Sequence, residues 1–144
     1  MKLFAQALAF LSLLLSVAAI GGDGFPPYGA PGDKQCIDIQ MVDGLSVKAK
    51  CPTYQPDKLY LCSELDLNKC YANQNGVLTP RQDGNFGSSC RNCRLTGTNL
   101  QCECVIDPSK PDQTWPSSVD TDNDIENANG NMGCFYRDGF ECQM

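Results

Sequence analysis

The sequence predicts a β-rich, disulfide-braced domain assembled from two copies of one hairpin-and-turn unit. Three observations carry that reading. Apolar and polar residues alternate in short runs on either side of turn dipeptides, the period of half-buried strands. Ten cysteines fall within 144 residues, a density that belongs to small oxidised domains. Finally, the stretch from Leu65 to Leu78 returns as Val119 to Met132. One offset of 54 residues carries Asp66 onto Asp120, Asn73 onto Asn127, Asn75 onto Asn129, Gly76 onto Gly130 and Cys36 onto Cys90. Cys51 falls within one residue of Cys104. This is a tandem duplication, with repeats at 34–86 and 87–142, and each unit is too small to bury a core alone.

The chain opens with the layout of an export signal over residues 1–19: Lys2, an apolar run from Leu3 to Val17, and the small residues Ala18 and Ala19. The run is short for a membrane span. A secreted, extracellular protein is the expectation, and it agrees with the cysteine usage. Residues 20–33, rich in glycine and proline, read as a flexible N-terminal tail in which Phe25 and Tyr28 are incidental aromatics. The net charge of -6 repels phosphate backbones and anionic lipid head groups, so neither nucleic acid nor membrane is an expected partner. Histidine is absent, which removes the commonest general base and zinc ligand. No nucleophile–base pair stands out, and acid pairs such as Glu64 and Asp66 read as solvated turn residues. No enzyme, cofactor or metal is expected.

In the first repeat Ile37, Ile39 and Met41 alternate with polar residues up to the turn Asp43-Gly44, and Leu45, Val47 and Ala49 alternate beyond it. Cys36 and Cys51 are equidistant from that turn and should meet across the hairpin's open end. A strand is expected near Lys58 to Leu61. Ser63-Glu64-Leu65-Asp66 carries a serine cap with an acid three residues on, predicting one or two helical windings that end at Asn75-Gly76. The segment from Thr79 to Asn85 joins the repeats and has a hinge's proline and glycine.

The second repeat replays the plan. Cys90 to Leu95 and Leu100 to Ile106 flank a turn at Thr96-Gly97-Thr98, and Ser117 and Asp120 occupy the helix-cap positions. Cys90-Arg91-Asn92-Cys93 has the spacing of a redox or zinc half-site. On a strand of an exported protein it fits structural bridges instead: Cys90–Cys104 and Cys93–Cys102 nest across one hairpin if a local bulge absorbs their unequal spacing. Asp120-Thr121-Asp122-Asn123-Asp124 begins like a calcium loop, but Ile125 and Asn131 stand where that loop wants glycine and glutamate. The tail from Cys134 to Cys142 reads as a hairpin about Asp138-Gly139. Nearest-neighbour pairing of the remaining cysteines gives 62–70, 93–102 and 134–142 among fifteen connectivities.

Asn73 to Gly76 and Asn127 to Gly130 are the suggestive loops. An asparagine amide presents a donor and an acceptor that match vicinal sugar hydroxyls, while Asn-Gly is also what a chain reversal requires. The signature Leu65-Asp66-Leu67-Asn68 … Asn73-Gln74-Asn75-Gly76-Val77-Leu78, then Asn85-Phe86 and Cys90-Arg91-Asn92, closely resembles the cyanovirin-N homology domain, as does Val119-Asp120 … Ile125-Glu126-Asn127-Ala128-Asn129-Gly130. The resemblance spans Asp33 to Tyr136. It implies an all-β, pseudo-twofold pair of lobes, each built from both repeats by strand exchange, with short helical turns and one carbohydrate site per lobe, typically for mannose-rich glycans. Carried over, one site gathers Lys34, Gln35, Thr53 and Tyr54 with Asn127, Ala128 and Asn129. The other gathers Asn73 and Asn75, then Asn85, Ser88 and Ser89, then Val105, Ile106 and Asp107. The implied partners are oligosaccharides or glycoproteins, and the implied states a monomer or a strand-exchanged homodimer. The chain also departs from the pattern. Asn75 and Asn129 replace an aspartate usual in the family, and Pro52, Ala72 and Ser88 stand where glutamates are common. These departures motivate an alternative, an interaction or effector protein that keeps the fold but has lost sugar binding.

Overall fold

A computed structural model describes residues 35–57 and 59–143. Strand β1 (Ile37–Val42) and β2 (Ser46–Pro52) form the expected hairpin about Asp43-Gly44, and β3 (Tyr60–Asp66) pairs antiparallel with β2. A single 3₁₀ turn, Leu67–Lys69, leads into a second hairpin of β4 (Tyr71–Gln74) and β5 (Val77–Pro80). After another such turn at Phe86–Ser88, β6 (Cys90–Thr96), β7 (Asn99–Val105) and β8 (Thr114–Asp120) repeat the three-stranded sheet. A 3₁₀ turn at Thr121–Asn123 then leads into the hairpin of β9 (Glu126–Ala128) and β10 (Asn131–Cys134). The chain closes with β11 (Arg137–Asp138), paired with β10, and β12 (Phe140–Glu141), paired with β3.

The halves exchange hairpins. Strand β10 packs on β3, so the second repeat's hairpin covers the first repeat's sheet, and β5 likewise packs on β8. Hydroxyls stitch both junctions at equivalent positions. Ser63 Oγ accepts the Met132 N–H and Ser117 Oγ accepts the Leu78 N–H, each at 2.9 Å. These two serines are therefore not helix caps, as the capping signature predicts. They are strand residues that satisfy a backbone donor on the exchanged hairpin. The cap belongs to the acids alone: Asp66 accepts the Asn68 N–H and Asp120 the Asp122 N–H, each over one 3₁₀ turn rather than longer helical windings. Strand β4 begins within two residues of that turn, because Tyr71 must enter the core. Leu65, Leu67, Tyr71, Phe86, Leu100, Ile125 and Met132, drawn from both repeats, are buried in one cluster.

Both first strands carry a bulge at the same place. Asp38 and Asn92 take positive φ of 55° and 53°, and the register shifts across each. The bulge leaves Ile37 exposed while Ile39 and Met41 still pack on the core, so the expected alternation of β1 holds only beyond Asp38. In β6 the bulge lets Cys90–Cys104 and Cys93–Cys102 form side by side, as their spacing predicts. Cys36–Cys51 closes the first hairpin, and a loop of that size contributes about 3 kcal/mol.

The other two bridges correct the nearest-neighbour pairing. Cys62 joins Cys142 and Cys70 joins Cys134, so neither 62–70 nor 134–142 exists. Nor do the tail cysteines close a hairpin about Asp138-Gly139. The chain reverses earlier, at Phe135-Tyr136, where both residues have positive φ. Gly139 then threads between β10 and β3, its N–H on Met132 O at 2.7 Å. A methyl group there would lie 2.5 Å from Glu64 O, so only glycine passes. That crossing delivers β12 to β3 and Cys142 to Cys62.

The inter-repeat segment is pinned along its length. The N–H groups of Arg81, Asp83 and Asn85 donate to the carbonyls of Cys70, Lys69 and Asn68 at 2.8, 2.9 and 2.8 Å.

Candidate functional site

Two corners of the molecule share one framework. At the first, the turn between β9 and β10 places Asn129 and Gly130 at φ 55° and 93°, a reversal open to asparagine and glycine. Asn127 builds it. Its Oδ1 accepts the Gly130 N–H at 2.8 Å, and its Nδ2 donates to Pro52 O at 3.0 Å, which docks the turn on the end of β2. Tyr54 closes over the outside: its hydroxyl donates to Asn127 O at 2.6 Å and its N–H to Asn129 Oδ1 at 2.8 Å. Thr53 Cγ2 packs under Gly130. Gln35 is exposed and precedes Cys36, which the bridge to Cys51 ties to the end of β2. Ala128 is half-buried and Asn129 exposed, whereas Lys34 lies outside the described residues.

The second corner repeats the scheme between β4 and β5. Asn75 and Gly76 have φ 52° and 90°. Asn73 Oδ1 accepts the Gly76 N–H at 2.8 Å, while its Nδ2 donates to Val105 O and Ser89 Oγ, both at 2.9 Å. Asn85, at φ 51°, bridges to Ala72, and Ser88 Oγ donates to Asn85 O at 2.9 Å. Asp107 follows Cys104 by three residues, as Tyr54 follows Cys51. Its Oδ1 accepts the N–H and the hydroxyl of Ser109 at 2.9 and 2.8 Å. These bonds, the backbone one first, hold its carboxyl below the usual aspartate range, so it stands ionised.

The structure places described residues of both predicted clusters at these two corners and gives the amides of two of them, Asn73 and Asn127, internal partners. Each is engaged by the turn on one side and the neighbouring sheet on the other, and Asn127 is fully buried. What remains on the surface is the polar edge they shape: Gln35, Tyr54 and Asn129 on one corner, Asn75, Asn85, Ser88 and Asp107 on the other. Asp120, at the head of the calcium-like run, instead caps its turn and accepts from Thr98 Oγ1 at 2.7 Å.

The outward faces of the two sheets carry shallow grooves that sequence reasoning missed. One, of about 300 Å³, is lined by Asn92, Arg94, Gln101, Glu103, Pro116 and Ser118. Its counterpart, of about 220 Å³, lies over Asp38, Gln40, Lys48 and Lys50. Their side chains pair with one another: Asn92 with Glu103 at 2.7 Å, Arg94 with Gln101 at 3.0 Å, Lys50 with Asp38 at 2.9 Å.

Fold and corners together define a class: disulfide-braced, hairpin-exchanged β proteins with one rigid polar corner per lobe. The chain matches the CVNH domain over residues 33–133 and belongs to that family. Solved structures agree. TbCVNH from T. borchii is 26% identical, with 69% of this chain and 93% of that one covered and a TM-score of 0.59. Microvirin, solved with mannobiose, is 23% identical over 76% of this chain and 98% of its own, with a TM-score of 0.59. A MoCVNH3 variant, solved with (N-GlcNAc)4, is 22% identical over 69% and 93%, also with a TM-score of 0.59. No curated protein matches the sequence significantly.

Proposed function

We propose that this chain is a secreted, non-catalytic lectin that binds mannose-type oligosaccharides at its two corners. The observation that carries the reading is the duplicated framework. Two turns of the same shape, each fixed by a buried or half-buried asparagine and held by the opposite repeat, present exposed polar groups on a rigid edge. Such an edge loses little further entropy when a ligand docks. Backbone groups and the side chains of Gln35, Asn129, Asn75, Ser88 and Asp107 supply the donors and acceptors that hydroxyls require. Two sites on one body favour branched glycans, since linkage raises avidity by about 10²–10⁴. The sugar complexes of microvirin and the MoCVNH3 variant support the ligand class.

A glycan array on the oxidised protein tests this. Asn75→Gly and Asn129→Gly are the informative variants, because glycine keeps the positive φ and removes only the amide. Mannose-type glycans should be retained by the parent and weakened in each variant. An array without signal from folded protein would contradict the reading.

A second reading, an interaction or effector protein on the same fold, gains weight from one observation: the Asn73 and Asn127 amides and the Tyr54 hydroxyl are already engaged internally. Capture of an extracellular protein that persists in excess free mannose would favour it.

A further inference from the structure

Trp115 is the single tryptophan of the chain, and it is 61% exposed. It stands in β8 directly opposite Cys104, so it shares the sheet face that buries Cys104 and Leu100. It lies at the end of that face, where the turn of the second corner stops covering it. A Cβ placed on Gly76 would lie 3.5 Å from Trp115 Cβ and 3.2 Å from Ile106 Cγ1. Ile106 and Val77, the residue after Gly76, are also exposed. Three apolar side chains therefore border the second corner, next to Asn75 and the ionised Asp107. At the first corner the position equivalent to Trp115 is Leu61, which is half-buried and packs under Gly130. The two corners share a framework and differ in chemistry at this point.

We infer that Trp115 is the specificity-determining residue of the second corner, where its indole takes the C–H face of a pyranose while Asn75 and Asp107 meet hydroxyls at the ring's edge. This rests on the carbohydrate reading and adds to it at one site. The occupant is a sugar because the small apolar platform of Trp115, Ile106 and Val77 borders a polar edge, the combination that small-ligand sites use. The indole also selects among rings. A β-gluco-configured ring carries all its substituents equatorially, so both faces present C–H bonds. In a manno ring the C2 hydroxyl is axial and interrupts one face. A β-N-acetylglucosamine ring can meet the indole by either face and a manno ring by only one, which favours N-acetylglucosamine-type rings at the second corner. The first corner has Leu61 at this position and a different aromatic, Tyr54, bonded to the Asn127 carbonyl.

The test uses the single tryptophan as its own reporter. The oxidised protein is titrated with (GlcNAc)4 and with mannobiose while tryptophan emission and backbone amide shifts are followed. The expected result is a saturable change in emission, stronger with (GlcNAc)4. Trp115→Ala should then bind (GlcNAc)4 at the second corner about tenfold more weakly, with amide shifts at Tyr54 and Asn129 retained. Trp115→Phe, which keeps an aromatic face, should retain most of the affinity, and amide dispersion reports whether each variant is folded. Amide shifts at the second corner with unchanged emission and an unaffected Trp115→Ala would overturn the inference and leave the lectin reading standing. Absence of saccharide-induced shifts at either corner would overturn both.

Discussion

Asn127 is expected from the sequence to bind ligand, and in the structure its buried amide joins the corner turn to β2; replacing it separates a folding role from a binding one. Asn127→Ala removes the acceptor of the Gly130 N–H at 2.8 Å and the donor to Pro52 O at 3.0 Å. Both partners lie in buried residues, where water does not replace the lost amide. Each buried group left unpaired costs about 1–3 kcal/mol, so the pair should cost about 2–6 kcal/mol. For a domain of this size that lowers Tm by about 8 °C or more. The Tyr54 hydroxyl bonds the Asn127 backbone carbonyl and is not removed by the change. Asn129→Gly provides the contrast, because it loses one exposed bond to the Tyr54 N–H and should cost no more than about 1.5 kcal/mol. Denaturant unfolding of the oxidised proteins measures both. An Asn127→Ala midpoint equal to the parent's, combined with lost sugar binding, would refute the assignment and return Asn127 to the ligand.

Three further perturbations probe other parts of the account. A Cβ on Gly84 would lie 2.5 Å from the carbonyl carbon and oxygen of Tyr71, so Gly84→Ala should destabilise by at least about 1–3 kcal/mol, read from the same unfolding curves. Burial, with repulsion from Asp120 and against the Tyr71 hydrogen bond, raises the Asp124 carboxyl above its ordinary value. The native state therefore holds that proton more tightly than the unfolded chain, and stability falls as pH rises through the native pKa. Asp124→Asn should raise Tm at pH 7 while still accepting from Tyr71, and the difference should vanish below the ordinary aspartate range; a gap that persists there would contradict the titration. Lastly, Cys62–Cys142 and Cys70–Cys134 join the two repeats, so the oxidised monomer cannot exchange halves through the Thr79–Asn85 segment without breaking them. Any strand-exchanged dimer should form only after reduction and should become covalent on reoxidation, visible as a dimer band on a non-reducing gel. Reversible dimerisation of fully oxidised protein through exchange would contradict this.

Local information in the chain was enough for the local structure. Asp43-Gly44 located the first hairpin, and the unequal spacing of Cys90, Cys93, Cys102 and Cys104 required the bulge that Asn92 supplies. The constant offset marked the paired corners. What depended on exchange between the repeats was not readable from neighbours in sequence. Periodicity gives no sign that the Met132 N–H needs a partner on β3, so Ser63 looked like a helix cap. The recurrence of serine at 117 was the available signal, since two equivalent strands facing two equivalent hairpins need the same acceptor. Cys62 and Cys142 are 80 residues apart, and only the passage of Gly139 between β10 and β3 brings them together. For Asn73 and Asn127, residue type allows a turn-forming or a ligand-forming role, and their internal hydrogen bonds, which sequence does not reveal, support the first.

The most direct test of the central claim is a backbone amide titration of the oxidised protein with a mannose-type oligosaccharide. Shifts should concentrate at Thr53, Tyr54, Ala128 and Asn129 and at Asn75, Gly76, Ser88 and Asp107, while the outward grooves at Asn92, Gln101, Gln40 and Lys48 stay silent. Shifts confined to those grooves, or none at saturating sugar, would contradict it.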